Sequence, residues 1–245
     1  MGFNLIEDGD YFEKIGYNLF IKQKFPSYES FWKKFVVSLT NRPNNINTKS
    51  DKDIAILFPG ENIEKIQERV AIIQLHYSVF RMMLKAYFLL STTDKDINSI
   101  ENCFSHLYSA LDISAELFAR YDRLKNGTII QNSPFNQEIA MIDSIKLRRD
   151  WEKLNPYTGD IKNIREYRNQ MIHGRTIGHI VTPAGKFIIL PRLGKQDDYL
   201  DWRYLFDSYE KGKTQDLIYG KYLSEDSFNK VIDFIEMGWL KNLLI

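Results

Sequence analysis

Apolar residues recur at steps of three and four positions along two long stretches, and this spacing constrains the fold more than any other feature of the sequence. The first stretch extends from Asn62 to about Leu90, and the second extends from Thr93 to about Lys125. A period of this kind places the apolar side chains on one face of an α-helix. We therefore predict two long amphipathic helices, each with one buried face.

Shorter patterns flank these two stretches. Further helices are predicted from Tyr28 to Thr40, from Ser133 and Pro134 towards Leu154, from Thr158 or Asp160 to Gly174 or Gly178, and from Ser224 to about Leu244. Within residues 179–193, two β-prone runs around Pro183–Gly185 predict a β-hairpin. Because short connections between long helices favour antiparallel neighbours, the predicted fold class is mostly α: an up-and-down antiparallel helical bundle with a small β-hairpin and a C-terminal helix.

The same patterns divide the chain into three parts. Residues 1–55 are an N-terminal extension with one helix and a polar loop, and residues 56–178 are the helical bundle. Residues 179–245 carry the hairpin and the C-terminal helix, which we expect to pack on the bundle.

The charges of the chain nearly cancel, with 33 basic and 32 acidic residues. A protein that binds many phosphates without sequence preference is usually more basic, so any nucleic-acid site must be local. The hydrophobic content of 44% and the charged content of 27% are typical of a globular protein rather than a disordered one.

The single cysteine, Cys103, excludes an intramolecular disulfide, and its helical surroundings predict a buried thiol. No Cys and His cluster has the spacing of a zinc site, so no metal or cofactor is expected. The N-terminal sequence lacks the pattern of a secretory signal. The most apolar segment, Val70 to Leu90, is interrupted by polar and charged residues and therefore indicates a core helix rather than a membrane span. A cytoplasmic location without a membrane partner is expected.

The sequence REYRNQMIHGR at residues 165–175 combines helical apolar spacing with an arginine at 168, an asparagine at 169 and a histidine at 173. On an ideal helix its apolar stripe consists of Ile161, Ile164, Tyr167, Met171 and Ile172. Arg168 lies near the middle of this stripe, His173 lies at its edge, and Asn169 lies between them. A partly buried guanidinium is costly unless it is paired, so Arg168 either meets a carboxylate or faces a cleft that admits an anion.

The second long helix offers carboxylates for such a pair. Glu101, Ser105, Asp112 and Glu116 fall on one stripe of it, beside the apolar face. One interpretation is that this stripe is a solvated face. The other is that Asp112 or Glu116 holds Arg168 in position.

The segment RNQMIH at residues 168–173 resembles the Arg-x4–6-His signature of the HEPN superfamily, in which a polar residue commonly follows the arginine. The resemblance covers about residues 60–180 and places the motif on a late helix of an up-and-down bundle. Arg69 and His76 show a similar spacing, but their apolar neighbours indicate packing at that position. Arg175 stands where some relatives have a tyrosine two places beyond the histidine, so chemistry built on that tyrosine is absent.

The resemblance implies a metal-independent endoribonuclease of the toxin or phage-defence type, in which a two-fold homodimer brings two motifs into one cleft. In that chemistry the RNA 2′-hydroxyl attacks the phosphate, His173 transfers protons, and Arg168 binds the phosphate through its planar fork of donors. Asn169 either donates to a phosphate oxygen or orients His173. The expected ligand is RNA or a nucleotide, and an antitoxin or another partner protein is a further candidate partner.

Two alternatives stay open. A non-catalytic HEPN-like module would use Arg168 and Asn169 to bind a nucleotide phosphate or an acidic group of a partner protein, without turnover. A structural pair would place Arg168 in a buried ion pair and His173 at the helix C-terminus, where the helix dipole favours a cation. An active pair must share an open cleft, whereas a structural pair need not.

Overall fold

The computed structural model describes residues 17–40, 63–93, 96–126, 156–172, 179–181, 187–189 and 218–241. Most of these residues are helical, as predicted. The α-helices, in chain order, are α1 (Tyr17–Lys24), α2 (Tyr28–Thr40), α3 (Ile63–Leu90), α4 (Ile97–Asn126), α5 (Thr158–Ile172) and α6 (Gly220–Ile235). A π-helix, Glu236–Leu240, directly follows α6. The strands within the described residues are β1 (His179–Val181), β2 (Phe187–Ile189) and β3 (Ile218–Tyr219).

Local hydrogen bonds explain where the two long helices end and begin. The hydroxyl group of Thr93 donates to the carbonyl oxygen of Leu90 at 3.0 Å and so occupies a carbonyl in the last turn of α3. The carboxylate of Asp96 accepts from the backbone N–H of Asn98 at 3.0 Å and caps the N-terminus of α4. Helix α4 therefore starts at Ile97, a few residues later than the apolar period predicts. None of the described helices has both the length and the apolar character that a bilayer crossing requires.

Helix α1 is not among the helices predicted from the sequence. It spans eight residues, too few for a repeating apolar period to stand out. Phe20, Ile21 and Phe25 are buried, so packing stabilises this segment. Pro26 prevents α1 from continuing through Phe25, because a proline disfavours helical backbone in the residue before it. The polar loop that was expected after α2 lies outside the described residues.

The C-terminal helix also differs from its predicted range. It begins at Gly220, directly after β3, rather than at Ser224. The Ser224 hydroxyl lies inside the first turn and donates to the carbonyl oxygen of Gly220 at 2.8 Å. The helix then widens into the π-helix Glu236–Leu240, a conformation that the apolar period of the sequence does not reveal.

The strands form a small antiparallel sheet in the order β1-β2-β3. His179 of β1 stands opposite Ile189 of β2. The turn predicted around Pro183–Gly185 lies outside the described residues, so the hairpin as a whole stays a prediction. The helix predicted from Ser133 towards Leu154 lies outside them as well.

The chain divides into two compact units, each assembled from separated segments. The first unit contains α1, α2, α3 as far as Phe80, α4 from Asp112, and the chain from Ile232. The second contains the remaining parts of α3, α4 and α6 together with α5 and the sheet. The three-part division by sequence stays a prediction.

The core of the first unit is largely aromatic. Its fully buried rings belong to Phe25, Phe31, Phe35, Phe80 and Phe234. Phe25 meets Phe80 edge to face, with ring centroids 4.9 Å apart, which is a favourable arrangement for two aromatic quadrupoles. This contact joins the segment after α1 to α3, so the N-terminal helices are part of a packed core.

The core of the second unit contains apolar residues from α3, α4, α5 and α6. Its buried side chains include Met83, Phe104, Leu107, Ile161, Ile164, Tyr167 and Phe228. Phe104 meets Tyr167 edge to face at 5.3 Å, which fixes one face of α5 against α4. This packing sets the direction in which the next residue of α5, Arg168, can extend.

Candidate functional site

Helix α5 buries the face that its sequence predicts. Ile161, Ile164 and Tyr167 are all buried, in agreement with the predicted apolar stripe. Arg168 and Asn169 follow immediately and are half-buried. Two polar side chains are therefore held at the edge of the second unit's core, where water solvates them only partly.

Two short contacts define the position of Arg168. Its Nη1 donates to the side-chain oxygen Oδ1 of Asn169 at 3.0 Å. Its guanidinium carbon lies 5.0 Å from the centroid of the Tyr108 ring on α4, which is within the range of a cation–π contact. Both contacts are with neutral groups, so neither of them cancels the positive charge.

No carboxylate of the second unit pairs with Arg168 among the residues that the structure describes. A half-buried guanidinium without a charged partner in its own unit retains its attraction for an anion. Since one N–H group of its donor fork is engaged by Asn169, the others remain for an oxyanion. The arrangement can thus bind a phosphate or carboxylate group.

The two carboxylates proposed as partners of Arg168 lie on the part of α4 that belongs to the first unit. Glu116 accepts from Arg120 Nε at 2.9 Å, and Arg120 also donates to Glu68 at 2.9 Å. Asp112, one turn earlier, is half-buried and also interacts with other groups. The role of Asp112 or Glu116 in holding Arg168 stays a prediction.

His173 is the residue after the last residue of α5, Ile172. It lies outside the described residues, as do Gly174 and Gly178, the two predicted ends of the helix. Its role in proton transfer therefore stays a prediction, based on its place in the sequence five positions after Arg168.

Tyr108 is the site residue that the sequence analysis missed. A signal was present, because Tyr108 falls on the stripe of α4 that contains Glu101, Ser105 and Asp112, at steps of three and four positions. An aromatic residue on a polar stripe is the feature that would have identified a partner for a guanidinium.

Two other reactive side chains considered in the sequence, those of His76 and Cys103, are buried structural groups. His76 is fully buried, in agreement with the packing that its apolar neighbours indicate. Burial lowers the pKa of His76 to about 3. Cys103 is also fully buried, as predicted, and burial raises the pKa of its thiol to about 12. Burial, with a smaller contribution from Lys85, lowers the pKa of His106.

Within the described ranges, no three His, Cys, Asp or Glu side chains are grouped so that they could hold a metal ion. Comparison with family models, curated proteins and solved structures finds no match to this chain. The functional interpretation consequently rests on the residues and the geometry of α4 and α5.

Proposed function

We infer that the chain is a HEPN-like protein, built on an antiparallel helical bundle, that cleaves RNA without a metal ion. The observation that carries this proposal is the half-buried guanidinium of Arg168, held by Asn169 and Tyr108 without a carboxylate partner among the described residues of its own unit. A structural arginine would be expected to have such a partner, because an unpaired cation at this depth is costly. An arginine that binds a phosphate must instead keep its donors for the ligand.

The reaction requires a phosphate-binding group and two proton transfers. The 2′-oxygen of RNA bonds to the adjacent phosphorus while the bond from phosphorus to the 5′-oxygen breaks, leaving a 2′,3′-cyclic phosphate and a 5′-hydroxyl group. Arg168 stabilises the charge that develops on the phosphate oxygens. One histidine takes the proton of the 2′-hydroxyl and another gives a proton to the leaving 5′-oxygen, for which an imidazole is suited near neutral pH.

One protomer supplies one histidine of this motif, and the reaction uses two. We propose that His173 and His173 of the partner subunit share a cleft across a two-fold axis. The proposal also includes a cytoplasmic location and a toxin or defence role, in which a partner protein blocks the site until cleavage is needed.

A non-catalytic binding module is the second candidate function. Arg168 and Asn169 are in place to bind an anion whether or not His173 takes part, and this observation supports binding without turnover. Such a module would bind a nucleotide phosphate or an acidic group of a partner protein.

The test is cleavage of a labelled RNA by the wild-type protein and by His173→Ala, with EDTA present. We expect wild-type cleavage, and a rate at least about a hundredfold lower for His173→Ala, since general acid–base catalysis typically contributes that much or more. His106→Ala, which removes a half-buried histidine of α4, is the matched control and should cleave like wild type. The oligomeric state and helical content of each variant are measured alongside.

The outcomes separate the two candidates. If His173→Ala still cleaves RNA at the wild-type rate, the catalytic proposal is wrong. If the wild-type protein binds RNA but releases no cyclic phosphate product, the binding module is the correct account.

A further inference from the structure

Two successive residues of α5 contact two residues one turn apart on α4. Tyr167 meets Phe104 edge to face at 5.3 Å, and the Arg168 guanidinium lies 5.0 Å from the Tyr108 ring centroid. Residues four apart on a helix lie on the same face, so Phe104 and Tyr108 present two rings in a row to α5. The buried contact anchors the helix pair, and the half-buried contact orients the guanidinium.

The geometry of a guanidinium determines what remains available for a ligand. Its five N–H groups lie in one plane and point outward from the guanidinium carbon. Asn169 accepts from Nη1, and the guanidinium carbon lies over the Tyr108 ring. The remaining in-plane donors form a fork that matches two oxygens of a phosphate group.

We propose that Tyr108 is a positioning residue that, together with Asn169, preassembles Arg168 as a phosphate-binding subsite complete within one protomer. The ligand class is a phosphate oxyanion, either free or as part of a nucleotide or nucleic-acid backbone. The choice of phosphate rests on the proposed function, but the subsite itself needs neither His173 nor the partner subunit. Preassembly matters because fixing a long arginine side chain in advance removes an entropic cost from each binding event.

A merely structural role for Tyr108 leads to a different expectation. In that case the Tyr108 ring would support α5. Its removal would then weaken phosphate binding by the same factor whatever residue occupies position 168. In the positioning role the effect of Tyr108 is transmitted through the Arg168 guanidinium alone. A double-mutant cycle between the two residues therefore distinguishes these roles.

The experiment is a titration of isotopically labelled protein with inorganic phosphate, followed by the backbone amide resonance of Asn169. Tyr108→Phe keeps the aromatic face and should bind phosphate like wild type. Tyr108→Leu should bind it roughly three- to tenfold more weakly, the range expected for loss of a partly exposed cation–π contact. In an Arg168→Gln background, which has no cation at position 168 to contact the ring, Tyr108→Leu should cause no further weakening of the residual binding.

One further variant is a control, and another is a substitute for Tyr108→Leu. Tyr222→Leu removes an exposed tyrosine of α6 and should leave phosphate binding unchanged. Tyr108→Met keeps an apolar side chain of similar length without a ring and replaces Tyr108→Leu if that variant does not fold, as judged from the dispersion of its amide resonances.

The proposal is overturned if the ring-less variant binds phosphate as tightly as wild type, or if removal of the ring weakens phosphate binding equally when position 168 is glutamine. Absence of phosphate binding in the wild-type protein overturns it too. Its failure is distinguishable from failure of the proposed function, because phosphate binding that depends on Tyr108 can persist in a protein that cleaves no RNA. Conversely, RNA cleavage that depends on His173 can persist when Tyr108 is dispensable.

Discussion

His76 illustrates how a single residue can be understood from its surroundings. Its ring is enclosed by aromatic side chains of α2 and α3, including Trp32 and Phe80 at centroid distances of 5.0 Å, and its Nε2 lies 3.4 Å from the Tyr28 hydroxyl oxygen. Loss of hydration penalises the imidazolium, so burial lowers the pKa to about 3. The histidine therefore stays neutral inside the aromatic core.

The first prediction concerns acid stability. In the unfolded chain His76 has an ordinary pKa of about 6.5, whereas its folded pKa is about 3. Between these values only the unfolded chain takes up the proton. The free energy of unfolding should therefore fall as pH is lowered through this window, by at most about 1.4 kcal/mol per pH unit for this residue.

Urea unfolding at about pH 7 and pH 5, compared between wild type and His76→Phe, measures the effect. The variant should lose less stability on acidification, because a phenyl ring has no proton to bind. Carboxylates and His106 act in both proteins and cancel from the comparison. An equal loss in the two proteins would contradict the assignment to His76.

The second prediction concerns Cys103. Its thiol is fully buried, its pKa is raised to about 12 by burial, and its Sγ lies 4.0 Å from the carbonyl oxygen of Ala86. Since only the thiolate reacts readily with alkylating reagents, iodoacetamide at about pH 8 should label the folded protein very slowly and the urea-unfolded protein fully. Mass spectrometry measures this cleanly because the chain has one cysteine. Rapid labelling of the folded protein would show that the thiol is accessible.

At the scale of elements, the sequence predicts the bounds of a helix accurately where the apolar face of that helix continues over many turns. Helices α3 and α4 were found within a few residues of their predicted bounds for this reason. Helix α1 was missed because it is short and depends on the packing of Phe20 and Phe25. Helical ends also depended on individual caps such as Asp96, which an apolar period does not encode.

The third prediction concerns a cap supplied from far along the chain. Glu236 in the π-helix accepts from the backbone N–H of Ser27, just before α2, at 3.1 Å. The carboxylate is buried, and its other oxygen accepts no hydrogen bond from the residues that the structure describes. Glu236→Ala should lower the free energy of unfolding by about 1–3 kcal/mol, because the half-buried N–H group of Ser27 loses its acceptor. Glu236→Gln should lower it less, since an amide oxygen can still accept and a buried charge is removed.

Urea unfolding of the two variants gives the comparison. Glu29→Ala is the matched control, because Glu29 is an exposed carboxylate of α2 whose partner, Lys33, is exposed as well. This control should unfold at nearly the wild-type urea concentration. Equal losses for the alanine and glutamine variants at position 236 would mean that the hydrogen bond to Ser27 is not the stabilising contact.

At the scale of the whole molecule, the proposed reaction requires more than one protomer. The fourth prediction is that excess His173→Ala protein lowers the RNA cleavage proposed for the wild-type protein. Subunit exchange would place each wild-type protomer in a mixed dimer with one motif histidine, which is too few for both proton transfers. RNA cleavage per wild-type protomer should therefore fall as the variant is added.

A monomeric site would give the opposite result, with the rate per wild-type protomer independent of the added variant. An unrelated protein at the same concentration controls for crowding and for loss of RNA to non-specific binding. Sedimentation of the mixture establishes that the two chains exchange.

The mostly helical character, the positions of the long helices, the burial of His76 and Cys103, and the place of Arg168 on an apolar stripe can all be predicted from the amino-acid sequence. These features follow from local periodicity, since neighbours along a helix share a face whatever the rest of the chain does. The contact of Tyr108 with Arg168 and the cap that Glu236 supplies to α2 become visible in the folded structure alone. Such contacts join residues distant in the chain, and their partners are selected by how helices pack rather than by any local pattern.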